Sequence, residues 1–353
     1  MVMAGGSFRF AYYLGMYSAA VEAGKAPDLI LASCGGAIAA AVIQSLPDDA
    51  ARKAWISSPE MYAFLCALQS TPKAALGRSF IHALGRRWRK RPAARIPDLF
   101  DDYFFDIPAR LPLPPACANP TVDVAIVGGK ILFGRDEVGQ VRGSRKLYAE
   151  TIFCKQRGAD LLAGMDAPMG DVRWGDSAIA THLETDTGMA LADAARISIS
   201  DMYYFPCHAV GNTHYTGGVI DLFPIELAHR LARSVVIEMK APFSQPLAIP
   251  ALRAVLGIDG NDRLRHVHGQ HADTWVDTSD VEVVLASIGM QKRLCWRENR
   301  IRLVMPASQA QYARDVDTQW EYGYQRGKEA FQTERLNQKQ HMRLATRHNR
   351  GAP

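Results

Sequence analysis

The stretch Pro27-Asp28-Leu29-Ile30-Leu31-Ala32-Ser33-Cys34-Gly35-Gly36-Ala37 decides the fold. Asp28 to Leu31 reads as a short buried strand, its apolar run Leu29–Leu31 following Pro27-Asp28 and giving way to small residues. The chain turns at Ala32–Gly36 and enters an alanine-rich helix, Ala37 to Gln44, stopped near Pro47. Every residue flanking Cys34 is small, as a sharp strand–turn–helix elbow demands where backbone angles are strained. The tip of such a turn meets substrate, and the helix N-terminus behind it favours negative charge. For Cys34 this predicts a lowered thiol pKa and more of the reactive thiolate. A plainer reading also fits: free cysteine is among the most buried residue types, and Cys34 would then be a small residue packed beneath its helix.

Upstream, Met1-Val-Met-Ala4 reads as the end of a buried strand, with only four residues ahead of Gly5-Gly6-Ser7, short for a core strand. A helix follows, with Leu14, Tyr17, Ser18 and Val21 on one face and Gly24 suited to its stop. Strand–helix–strand–helix in so short a span implies a parallel sheet covered on its faces. Downstream, residues 48–115 read as helical cap material, and strands are expected at Thr121–Val127 and Lys130–Phe133. Ala190–Ile199 reads as helix and Asn212–Tyr215 as strand, ending in Thr216-Gly217-Gly218. A helix from Pro224, a strand at Ser234–Met239, an irregular polar region over 241–280, a last strand at Ile301–Met305 and a helix from about Ala307 complete the expectation. In a parallel sheet the turns after residues 4, 33 and 216 fall at one edge, where α/β folds place ligands. Backbone amides of Gly5, Gly6, Ser7 and Gly35 would then face a developing oxyanion.

These segments, in this order, resemble the patatin-like phospholipase family. The family's Gly-Gly-Gly-x-Arg-Gly loop and following Ala-Tyr-x-Leu-Gly correspond to Gly5-Gly6-Ser7-Phe8-Arg9-Phe10 and Ala11-Tyr12-Tyr13-Leu14-Gly15. Its elbow, Pro-Asp-x-Ile-x-Gly-x-Ser-x-Gly-Ala, corresponds to residues 27–37. Its Ala-Arg-x-Ser and later Phe-Pro are similar to Ala195-Arg196-Ile197-Ser198 and Phe205-Pro206, and its Asp-Gly-Gly/Ala falls on Thr216-Gly217-Gly218. The resemblance implies a three-layer α/β fold: a mostly parallel central sheet with helices on both faces and a helical cap insertion. It implies one domain over residues 1–330 and an acyl hydrolase or acyltransferase acting on a lipid or other acyl ester or thioester; residues 331–353 read from their composition as a polar basic tail.

Five differences from the family's pattern stand out. Cys34 stands at the family's catalytic serine, Thr216 at its aspartate, Ser7 at the third loop glycine, Phe10 at the glycine after the loop arginine and Ala32 at the first elbow glycine. Threonine does not ionise near neutrality, so it cannot serve as base. Two residues are candidate substitutes. His214, two residues before Thr216, would share its sheet face, and Asp201 would return a carboxylate to the pocket. Asp221 reads as a turn or capping residue. The alternative function is a catalytically inactive lipid- or acyl-binding or regulatory module.

Composition narrows the partners. A formal charge of +5 over 353 residues, with 22% charged residues, does not by itself argue for nucleic acid, and no nucleic-acid module is recognisable. Six scattered cysteines without a CxxC pair point to a reducing, cytoplasmic setting rather than a disulfide framework. The N-terminus shows no secretory pattern, and the longest apolar run, Leu29–Ile43, is too short to span a bilayer. No cofactor is expected. His266, His268 and His271 form a weak metal candidate in a loop. Arg86, Arg87, Arg89, Lys90 and Arg91 around Trp88 suggest peripheral contact with an anionic membrane, and Arg335, Lys339, Arg343 and Arg347 recur at helical spacing.

Overall fold

The computed structural model describes residues 1–6, 8–75, 93–117, 120–243, 248–295 and 298–332. Ser7, the Arg86–Arg91 cluster with Trp88, and the basic tail positions lie outside the described residues.

Thirteen strands and eleven α-helices are described. The strands are β1 (Val2–Ala4), β2 (Leu29–Ser33), β3 (Gln69–Ser70), β4 (Phe105–Asp106), β5 (Asp123–Ile131), β6 (Tyr148–Phe153), β7 (Glu184–Asp186), β8 (His208–Val210), β9 (Thr213–Thr216), β10 (Val236–Met239), β11 (Thr274–Asp277), β12 (Gln291–Cys295) and β13 (Arg300–Val304). The helices are α1 (Ala11–Glu22), α2 (Gly35–Ser45), α3 (Asp49–Ile56), α4 (Pro59–Cys66), α5 (Gln156–Leu162), α6 (Leu191–Ser198), α7 (Ile225–Leu231), α8 (Ala248–Leu256), α9 (Gly260–His268), α10 (Val281–Val284) and α11 (Gln309–Gln332). The molecule is α/β, with helices packed on a central sheet. That sheet runs β1-β2-β5-β6-β7, and β9 and β8 attach through β5.

β1, β2 and β5 are parallel, as the expected βαβ succession requires. β9 departs from that expectation, because it runs antiparallel to β5. β2 pairs with residues 123–126 of β5, and β9 pairs with Gly129 and Lys130. β6 holds the other side of β5 at those positions. β2 and β9 therefore share one column of the sheet and run head to head. The turn after Thr216 still reaches the end of β2, by an opposed approach rather than a parallel one.

Other expectations are corrected in detail. Residues 121–133 hold one long strand rather than two. Gly128 and Gly129 do not break it, since a β-carbon at Gly128 would lie 2.9 Å from Ile197 and one at Gly129 2.9 Å from Thr216. These glycines serve close packing, which a turn reading overlooks. Residues 241–280 are not irregular: α8, α9 and β11 lie there, with Leu252, Val255, Leu264 and Val267 buried and Asp259 capping α9. The last strand is half of an antiparallel hairpin, β12–β13. In the expected cap, α3 and α4 are helical, whereas the described residues 93–117 are mainly irregular.

Two apolar cores sandwich the sheet. One contains Tyr12, Tyr13, Ile38 and Trp320, and the other Ile152, Ile179, Ile220 and Val255. α11 lies against α1 so closely that a β-carbon on Gly15 would sit 2.0 Å from the Trp320 carbonyl oxygen. No helix among the described residues is long and apolar enough to cross a membrane.

Candidate active site

β2 ends at Ser33 and α2 begins at Gly35, which leaves Cys34 alone in the turn at φ 50° and ψ −126°. A non-glycine residue at such angles is strained by about 1–3 kcal/mol and persists only where its surroundings hold it. Here they do. The Cys34 amide donates to Ser198 Oγ at 2.9 Å, and Ser198 in turn donates to the Val127 carbonyl at 2.7 Å. Ser33 Oγ donates to the Leu222 carbonyl at 3.0 Å, and the Gly36 amide donates to the Gly5 carbonyl at 2.9 Å. A β-carbon on Gly36 would come within 2.1 Å of the Met3 carbonyl oxygen, so the elbow and β1 meet through glycine.

The carboxylate beside Cys34 comes from residue 201. Cys34 Sγ donates to Asp201 Oδ1 at 3.0 Å. Burial pushes the Asp201 carboxyl up to about 7, against hydrogen bonds from the Cys34 thiol and the Val219 amide that pull it down. The expected lowering of the thiol pKa is overturned. Burial, followed by the neighbouring Asp201 charge, pushes Cys34 well above its ordinary value. The helix N-terminus does not overcome desolvation at a residue only 3% exposed. The thiol is therefore protonated at neutral pH, with a base in contact.

Asp201 is aimed by a buried scaffold. Arg196 donates to Ser200 Oγ at 2.6 Å and to the Pro108 carbonyl at 3.3 Å, and burial brings its pKa down to about 10. The Ser200 carbonyl accepts from the Gly217 amide at 2.8 Å and from Thr216 Oγ1 at 3.4 Å. Thr216 is thus a buried residue tied to the loop that carries Asp201, and it does not line the cavity at Cys34. His214 is not brought to Cys34 either: its ring meets Phe100 edge-on at 5.2 Å. Gly218 packs on the elbow itself, where a β-carbon would lie 2.8 Å from the Cys34 nitrogen.

The oxyanion residues divide. The Gly5 amide already donates to the Ser33 carbonyl at 3.1 Å, which removes it as a donor. Gly35, the first residue of α2, lines the cavity, and among the described residues its amide has no acceptor. The Gly6 amide likewise has none among them, and Gly6 rests on Tyr12 and Tyr13. Both tyrosine hydroxyls reach the buried Glu238, at 3.0 and 2.6 Å, with Lys240 3.0 Å from the same carboxylate. Nothing in the sequence pattern pointed to this support.

A cavity of about 420 Å³ opens over Cys34 and Asp201. Its walls are chiefly apolar, with Phe8, Ile38, Phe105, Phe205 and Leu252 among them. Arg9 also lines it and pairs with Glu282 at 2.7 Å. The remaining polar candidates stand apart. Asp221 is buried 3.0 Å from Arg263, and its side chain accepts from the Phe223 amide at 3.2 Å, a turn role as expected. His266 and His268 lie on α9 rather than in a loop. His266 bonds Glu226 at 3.1 Å, His268 packs edge-on to Trp275, and His271 is exposed. Among the described residues no group of three or more histidine, cysteine, aspartate or glutamate side chains is arranged to hold a metal ion.

The sheet edge thus brings the strained elbow at Cys34, the contacting Asp201 carboxylate and an apolar cavity together in one place. The family model for patatin-like phospholipase matches residues 1–229, and the chain belongs to that family, whose members are lipid acyl hydrolases in general. No curated protein matches the chain in direct comparison. The cavity walls contributed by residues 243–303 lie beyond the matched segment.

Proposed function

We propose that this protein is an acyl hydrolase or acyltransferase acting on a lipid or other acyl ester or thioester, with Cys34 as nucleophile and Asp201 as its general base. The observation that carries this reading is the 3.0 Å contact between Cys34 Sγ and Asp201 Oδ1 in the wall of an apolar cavity. As sulfur attacks the acyl carbonyl carbon, Asp201 takes the thiol proton. A base whose pKa lies near 7 suits that transfer at neutral pH. The resulting oxyanion faces the Gly35 amide and the N-terminus of α2. Collapse breaks the carbonyl–heteroatom bond, and the departing alcohol or thiol takes its proton from Asp201. The acyl group is left as a thioester on Cys34. Asp201, again a carboxylate, then deprotonates water or an acceptor hydroxyl that attacks this thioester and restores the thiol.

A second reading, an acyl-binding module without turnover, is favoured by the near-complete burial and raised pKa of the thiol. Incubation with p-nitrophenyl esters and acyl thioesters, followed by intact-mass spectrometry, separates the two. Transfer predicts an acyl adduct that Cys34→Ala abolishes and that Cys34→Ser, still able to hydrogen-bond Asp201, forms as an oxyester. Ligand retained in the cavity without any adduct would favour the binding module.

A further inference from the structure

The glycine loop between β1 and α1 rests on side chains that are fixed from far along the chain. Gly5 and Gly6 both adopt left-handed backbone angles, with φ 77° and 89°. Glycine has the greatest backbone freedom of any residue, so what a two-glycine loop rests on decides where its amides point. On one side that support is the elbow: the Gly5 amide donates to the Ser33 carbonyl, and the Gly5 carbonyl accepts from the Gly36 amide. On the other side it is a pair of rings. A β-carbon on Gly6 would lie 2.8 Å from Tyr13 Cε2 and 3.3 Å from Tyr12 Oη.

Both rings are tied to Glu238, a fully buried residue of β10. Its carboxylate meets Tyr12 Oη at 3.0 Å, Tyr13 Oη at 2.6 Å, Thr278 Oγ1 at 2.7 Å and Lys240 Nζ at 3.0 Å. Tyr13 Oη also lies 2.6 Å from the carbonyl of Ala4, the last residue before the loop. Lys240 Nζ sits 5.0 Å over the Tyr12 ring and 5.6 Å over that of Tyr13. Burial, followed by the Glu238 charge, pushes both tyrosine hydroxyls well above their ordinary value, so they keep their protons where Asp201 titrates. Desolvation offsets much of the attraction within a buried ion pair, which makes such a pair a weak source of stability. Its hydrogen bonds still have direction, and here they converge under one loop.

We propose that Glu238 is a positioning residue for acyl transfer, holding the Gly5–Gly6 backbone against the Cys34 elbow through Tyr12 and Tyr13. The proposal rests on the acyl-transfer reading of Cys34. Glu238 does not line the cavity, but Gly5 does, beside Cys34 and Gly35. A shift of the loop moves that wall. Through the Gly5 carbonyl it also moves the first turn of α2, which presents the Gly35 amide to the oxyanion. Glu238 stands beyond residues 1–229, so the signature loop is held in place from outside the matched segment.

Two reactions of Cys34 separate this role from general packing. Acylation by a p-nitrophenyl ester passes through an oxyanion. Alkylation by iodoacetamide forms the carbon–sulfur bond as iodide leaves, and no oxyanion develops. Glu238→Gln keeps the side chain's shape and removes its charge. It is expected to lower the maximal acylation rate about tenfold or more, with the half-saturating ester concentration unchanged, as for an interaction made only in the transition state. Its alkylation rate is expected to match wild type. Tyr13→Phe keeps the ring under Gly6 and removes only the tether, so it should show the same split, and it carries the comparison if Glu238→Gln fails to fold by circular dichroism. Tyr324→Phe, which removes an exposed contact with Glu22, is expected to alter neither rate. Equal slowing of both reactions would reduce Glu238 to general packing, and unaltered acylation would sever it from the site; either result overturns the proposal. A wild-type chain that the ester never acylates defeats the acyl-transfer reading itself, and the role of Glu238 falls with it.

Discussion

A β-carbon on Gly217 would lie 2.5 Å from Asp201 Oδ1, so the glycine after Thr216 is what lets the Asp201 carboxylate reach Cys34. Gly217→Ala is therefore expected to push Asp201 off the thiol and to cut the rate of acyl-adduct formation by about tenfold or more, the scale on which a misplaced catalytic base acts. Intact-mass time courses at fixed donor concentration measure it, and an unchanged rate would separate Asp201 from the chemistry.

The reactivity of Cys34 should rise through the Asp201 pKa, about 7, because only the carboxylate can take the thiol proton. Below that value Asp201 is protonated and the thiol has no base. With Asp201→Asn the step near 7 disappears, and the residual rise moves to alkaline pH, where the buried thiol itself ionises. Iodoacetamide labelling of Cys34 across pH 5 to 10 reads both curves.

Asp201 also sets a stability cost with a definite sign. Its folded pKa, about 7, lies above the ordinary 3.8, so the fold favours the neutral acid. The stability this gives is complete at low pH and is lost as pH rises through the window between those values. Asp201→Asn is accordingly expected to be more stable than wild type at pH 8, by up to about 4 kcal/mol at 1.4 kcal/mol per unit, and nearly equal at pH 4. Chemical denaturation at the two pH values checks this.

Ser198 holds the strained elbow through the Cys34 amide. Ser198→Ala leaves that buried donor and the Val127 carbonyl without their partner, at a cost of about 1–3 kcal/mol. Melting temperature should fall, and Cys34 labelling should change with it, because the angles at the tip are no longer enforced.

The elbow was legible because strand, small-residue turn and helix follow one another within residues 27–45, and local pattern suffices there. The family resemblance was legible for the same reason, since its motifs are short. The base was harder to read. Asp201 appeared in the sequence only as one of two substitutes, and His214 looked equivalent by strand parity. What separates them is tertiary: Arg196 and Ser200 turn the post-α6 loop inward, whereas His214 is taken up by Phe100. The thiol pKa was misread because a helix terminus is visible in sequence and burial is not. Residues 241–280 looked irregular because the buried side of α9 itself carries polar residues, Asn261, Arg263 and His268, so no apolar stripe shows in the sequence.

The contact between Gly15 on α1 and Trp320 on α11 has a consequence for how this molecule should be cut. The segment that carries the family signature stops at residue 229, yet the surface of its first helix is completed by a partner some three hundred positions along the chain. The inherited module and the cooperative folding unit are therefore different objects. A fragment trimmed to the signature would expose Tyr12 and its neighbours to water and lose the wall that residues 248–303 give the cavity, so it would be a poor stand-in for the protein.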